Sequence, residues 1–175
     1  MENNKFTALD VANYIVYFVN NSLKKQNLTP IKLQKILYYV YVNCLVKHNF
    51  KLFDQPIEKW KFGPVVSDVY HNFKTVGTVH IAHTVPSYRF TDDANGGFSF
   101  EIIPFDNTKI EQSSVANEIN STITSLIDRS PFELVEITHN EEPWKRCESQ
   151  ILNGAKGLIY SDQELLDYFK NIRFF

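Results

Sequence analysis

With 175 residues, 43% of them hydrophobic and 22% charged, the chain has enough apolar surface for one sizeable core. A net charge of −2 and a pI near 6.2 argue against nucleic acid held by bulk charge. No apolar run approaches the about 20 residues that cross a bilayer, and no basic-then-apolar leader precedes Thr7, so a cytoplasmic setting is expected. The charge is divided: residues 1–75 carry +5 and residues 76–175 carry −7.

Residues 1–6 read as a tail. Thr7 and Asp10 resemble a capping box for a helix through Ala8, Val11, Ala12, Ile15, Phe18 and Val19, reaching about Lys25. Thr29 and Pro30 start a second helix, whose Leu33, Ile36, Leu37, Val40, Cys44 and Leu45 predict one buried face. Lys47 and His48 suit its C-terminal dipole end, and Asn49 a left-handed stop. The next thirteen residues hold Phe50, Leu52, Phe53, Pro56, Ile57, Trp60 and Phe62, too much apolar surface for a solvated loop. Gly63-Pro64 then predicts a helix start, with Val65, Val66, Val69, Tyr70 and Phe73 on it and a stop near Gly77.

Beyond Gly77 the period changes. Phe98, Phe100 and Ile102 alternate with Ser99, Glu101 and Ile103, and Tyr88 and Phe90 suit a partner strand, so residues 85–103 predict a β-hairpin. One long helix is expected from about Asp106, with Ile110, Val115, Ile119, Ile123, Leu126 and Ile127 inward. Ser130-Pro131 opens a short helix ending near Thr138-His139, Pro143 opens another, and Ser161 with Glu164 caps the last. The sum is a mainly α (α+β) single domain over residues 7–172. It is a bundle of about six to seven helices with a small β-hairpin near residues 85–103.

KLQKILYY from Lys32, then LFDQPIEKWKFGPV from Leu52 and VYHNF from Val69, closely resemble the Panacea-type antitoxin domain of the SocA-like antitoxins and the phage-associated GepA-like proteins. LVEITHNEEPWKR at 134–146 resembles that family's second signature, a Thr-His pair before Pro-Trp. The resemblance implies an antitoxin of a toxin–antitoxin pair, not an enzyme, that binds a small toxin encoded nearby. SocA-like members are also linked to delivering the toxin to a AAA+ protease; homodimerisation is a further option. The motif residues so marked are Lys35, Tyr38, Tyr39, Glu58, Trp60, Gly63, Pro64, Val65, Tyr70, His71, Thr138, His139, Pro143 and Trp144. Tyr38, Tyr41, Trp60, Tyr70 and Trp144 are candidates to face the toxin, although some of them must instead be core, since signature residues maintain the fold. A family that neutralises unrelated toxins should vary outside its shared motifs, which points to residues 78–106 and the polar face of 107–128.

Other chemistries are weaker. Lys35 beside two tyrosines could be a perturbed amine, but a lysine paired with a carboxylate, Glu58 being the expected partner, is simpler. His139 could be a base, an imidazolium at a helix end, or a packing residue beside Trp144. An enzyme would need Lys35, Glu58, His71 and His139 around one pocket. Cys44 and Cys147 are too few and too far apart for a disulfide framework or zinc knuckle, and read as buried free thiols. His80 and His83 near Asp92 and Asp93 lack a third fixed metal ligand, and no phosphate-binding glycine loop occurs, so neither metal nor cofactor is expected. Lysines interleave with aromatics over residues 24–74, but Arg is absent from residues 1–88, and solvated lysines around a core are the simpler reading than a nucleic-acid-binding regulator.

Overall fold

The computed structural model describes residues 6–92, 98–170 and 172. Its organising element is α2 (Pro30–His48), capped by the Thr29 side chain on the Lys32 N–H, with Pro30 in the first turn and Asn49 left-handed at φ 50°. The sequence predicts one buried face here, yet every residue from Lys32 to Leu45 is buried. The reason is that α2 is encircled. Against it pack α1 (Ala8–Tyr17), α3 (Ser67–Phe73), α5 (Ala116–Leu126), α6 (Pro131–Asn140) and α9 (Asp162–Phe169). Its polar residues therefore need internal partners. Gln34 bonds the Val66 backbone in both directions, Asn43 donates to Thr122 at 2.8 Å, and the Lys32 amine donates to the Ile127 carbonyl.

The Thr7–Asp10 capping box forms, and α1 runs into a π-helical turn at Phe18–Ser22. Of the expected tail only Phe6 lies within the described residues, and it is buried, its ring 6.4 Å from that of Phe50. The connector packs as predicted at Phe50, Leu52, Phe53 and Ile57, whereas Phe62 is exposed. Gly63-Pro64 does not open a helix. These residues lie in β2 (Gly63–Val65), antiparallel to β1 (Glu58–Trp60), and α3 begins only at Ser67. Gly63 sits at φ +90°, incompatible with a helix, and its missing side chain lets the strand approach Thr138 and Lys35.

The expected long helix is broken: α4 (Thr108–Glu111) and α5 are separate, although Ile110, Val115, Ile119, Ile123, Leu126 and Ile127 all reach the core. Beyond α6, the Pro143 helix is likewise two short pieces, α7 (Glu142–Lys145) and α8 (Glu148–Leu152). The last helix, α9, opens on the predicted Ser161–Glu164 capping box. β3 (Ser87–Asp92) and β4 (Phe98–Ile103) form the predicted hairpin; its tip, residues 93–97, lies outside the described residues. The fold is thus mainly α with two small antiparallel two-stranded sheets. No described helix is long and apolar enough to cross a membrane.

Candidate functional site

Four elements bring the motif residues to one place: α2, the β1–β2 turn, α6 and α7. Lys35 is buried on α2, and its amine donates to the Pro64 carbonyl at 3.0 Å. Burial pulls the Lys35 amine down to about 7, opposed by Glu141. Burial likewise pushes the Glu141 carboxyl up to about 7, opposed by hydrogen bonds from the hydroxyls of Tyr39 (2.5 Å) and Tyr38 (2.8 Å) and by Lys35. Burial, then the Glu141 charge, hold both phenols protonated.

Lys35 therefore does not pair with Glu58. The Glu58 carboxylate instead accepts from the Trp60 indole at 2.8 Å, two residues along β1 on the same face of the strand. Glu141, which sequence reasoning missed, is the carboxylate of the cluster. The residue stands in the second signature, but no spacing rule links position 141 with 38 and 39.

Thr138 is buried against Gly63 and donates to the Val135 carbonyl at 2.8 Å. His139 stacks flat on Trp144, with centroids 3.8 Å apart and planes 12° apart. Trp144, in a turn set by buried Pro143, donates its indole N–H to the Trp60 carbonyl at 2.9 Å. Burial and the nearby Lys35 lower the His139 pKa against a backbone hydrogen bond with Lys61, which favours a neutral packing imidazole over an imidazolium. His71 lies apart, exposed at the end of α3 beside Lys74. Of the four groups of the enzyme reading, Lys35 and His139 are near each other, Glu58 bonds Trp60, and His71 contacts Lys74 and the Tyr70 ring.

Among the proposed toxin-facing aromatics, Tyr38, Tyr41 and Trp144 are corrected to the core. Tyr41 faces inward far enough to donate to Asp162 at 2.5 Å. Trp60 is half-buried and Tyr70 is exposed, their rings meeting edge-on at 5.0 Å. Cys44 is buried and Cys147 half-buried, both free thiols. His80 bonds Asn20 and the Leu28 N–H, and among the described residues no group of three or more His, Cys, Asp or Glu could hold a metal.

A bare apolar face lies elsewhere. The pairing of β3 with β4 sets Tyr88 opposite Ile102 and Phe90 opposite Phe100, and alternation puts all four on one face. They are 54%, 57%, 76% and 65% exposed in that order. Aromatic side chains bury about 150–250 Å² each, so this face offers on the order of 400 Å² of apolar surface. The opposite face is polar, with Arg89 paired to Glu101 at 3.4 Å and Thr91 bonded to Ser99 at 2.6 Å. The sequence predicted the hairpin; that its apolar side faces solvent is visible only in three dimensions.

Residues 33–145 match the family described as antitoxin SocA-like, Panacea domain. No curated protein and no solved structure matches the chain.

Proposed function

Because the chain belongs to the SocA-like, Panacea-domain antitoxin family, we propose that it neutralises a small protein toxin by direct binding and that the toxin docks on the bare face of the β3–β4 hairpin. One observation carries this reading. The signature side chains are mostly buried in the α2–α6–α7 cluster, while Tyr88, Phe90, Phe100 and Ile102 form a contiguous apolar face that stays mostly exposed. Contiguous exposed aromatics mark binding surfaces, and central aromatics dominate interface energies. The charge division of the chain gives the hairpin half an acidic balance, suited to a basic toxin. The proposed setting is the cytoplasm, where toxin and antitoxin would meet as they are made.

The test is co-expression with the product of the adjacent open reading frame. A stable complex and restored growth, both lost with Phe90→Asp and Phe100→Asp while the folded chain persists, are expected. Retention of both by a folded double variant overturns the hairpin assignment; absence of any complex or rescue overturns the neutralisation reading. A toxin that stays intact in rescued cells fits blocking. One whose level falls only in hosts with the AAA+ protease fits delivery.

A further inference from the structure

Beside the buried cluster, a cavity of about 350 Å³ opens between the start of α2, the β1–β2 turn and α3. Its walls are mostly apolar: Trp60, Phe62, Val65, Tyr70 and Phe73. Phe62, at the lip, is 55% exposed. The rest of the lining is cationic in sign. It includes Lys35 and Lys61 and no carboxylate. The first turn of α2, through Pro30 and Ile31, adds the positive end of a 19-residue helix dipole.

The charges of this wall are incompletely answered from within. The Lys35 amine has the Pro64 carbonyl, and among the described residues no carboxylate lies within ion-pairing distance of it. Glu141 is near enough to be felt, but it bonds Tyr38 and Tyr39 rather than the amine. Gln34, the other polar group in the lining, is fully engaged with Val66. The Lys61 ammonium lies over the Phe62 ring, 6.0 Å from its centroid, and is free to swing onto a ligand at the lip.

We propose that this cavity binds a small apolar carboxylate, its aromatic or branched body against Trp60, Phe62, Tyr70 and Phe73 and its anionic head against the Lys35–Lys61 side. The cavity volume lies in the range of small-ligand pockets, about 300–1,000 Å³, and a few convergent polar groups in an apolar wall are what such pockets use for orientation. A carboxylate head would pair with the Lys61 ammonium and would favour the protonated form of the Lys35 amine, whose charge Glu141 offsets only in part. A neutral apolar guest would do neither. The site is independent of the hairpin and of the neutralisation reading.

The probe is 4-phenylbutyrate, compared with 4-phenylbutyramide, against the full chain carrying ¹⁵N-labelled tryptophan. The two tryptophans give two indole signals, Trp60 in the cavity wall and Trp144 in the core. The expected result is a saturable shift, larger at Trp60, with the amide binding at least about 10-fold more weakly, since about 1.4 kcal/mol corresponds to tenfold. Lys61→Gln should weaken the carboxylate several-fold, and Tyr70→Ala should abolish the preference for an aromatic body. Lys35→Met should remove the carboxylate preference; should that variant not fold, Lys61→Gln and the amide comparison decide. No saturable shift at Trp60, or equal binding of acid and amide, overturns the proposal.

Discussion

The signature cluster and the β3–β4 hairpin are built on opposite logics. In the cluster, aromatic and ionisable residues are buried and answer one another: Tyr38 and Tyr39 on Glu141, Lys35 on Pro64, Trp144 on Trp60. In the hairpin, four large apolar side chains share a face and stand mostly exposed. Residues that mark a family need not touch its partners. Here they mostly set the fold, and the fold presents an arm whose surface can change without disturbing them.

The comparison predicts that a single added methyl in the cluster is ruinous. At Gly63 a Cβ would meet Thr138 Oγ1 at 2.5 Å and the Lys35 side chain at 3.1 Å, on a backbone at φ +90°. Strain and overpacking together should make Gly63→Ala cost about 2–4 kcal/mol in urea unfolding. Gly77→Ala, where nothing lies within 4 Å, isolates the backbone part and should cost about 1 kcal/mol. Equal losses at the two positions would deny the close packing at Gly63.

Next in size is the tyrosine–carboxylate web. Tyr38→Phe and Tyr39→Phe should each cost about 1–2 kcal/mol, because a buried carboxyl loses a donor. The double variant should cost more than the sum, since Glu141 is then left with neither. Strict additivity in a double-mutant cycle would show that the two hydroxyls do not share one acceptor.

A smaller effect is the pH dependence, read as the difference between variant and wild type. Glu141 is raised from its ordinary 4.5 to about 7, so its contribution is full below 4.5 and is lost as pH rises through 7. Lys35 is lowered from 10.5 to about 7, so its contribution is full above 10.5 and is lost as pH falls through 7. Together they place a stability minimum near neutrality. Glu141→Gln should flatten the acid arm between pH 4.5 and 7, and Lys35→Met the alkaline arm between 7 and 10.5, in urea titrations across pH. His139, which also feels Lys35, should shift in the histidine NMR titration when that amine is removed. Parallel curves for wild type and variants would mean that neither group is buried as described.

How much of this could be read in the sequence follows from the range of the interactions. Caps are local, so Thr7, Thr29, Ser130 and Ser161 were legible at sight. The hairpin was legible from its period of two. Gly63-Pro64 misled because glycine followed by proline also suits a strand entered at positive φ, and the close approach that requires the glycine involves Thr138, 75 positions away, and Lys35. The six apolar positions of α2 were right but did not reveal that its other faces are buried too. Tyrosine, asparagine and lysine at those positions find partners far away in the chain. Glu141 and the exposure of the hairpin face depend entirely on such long-range placement.

The least effect on stability is expected where the effect on recognition should be greatest. Phe90 and Phe100 face each other across the hairpin at 76% and 65% exposure, so Phe90→Ser and Phe100→Ser remove little buried area. Each should change unfolding free energy by no more than about 0.5 kcal/mol. If the face is where the toxin docks, these two sit near its centre, and each substitution should weaken the complex by about 2 kcal/mol or more, roughly thirty-fold, in calorimetric titration with the purified toxin. Arg89→Ala on the polar face of the same strands is the control, because its pair with Glu101 is solvent-exposed and worth little. A binding loss at Phe90 equal to that at Arg89 would mean that the strands are read by their edges or charges, and the apolar face would lose its role. A large loss of stability at Phe90 would mean that the face is covered within the folded chain, and the contrast between a self-satisfied core and an open arm would fail.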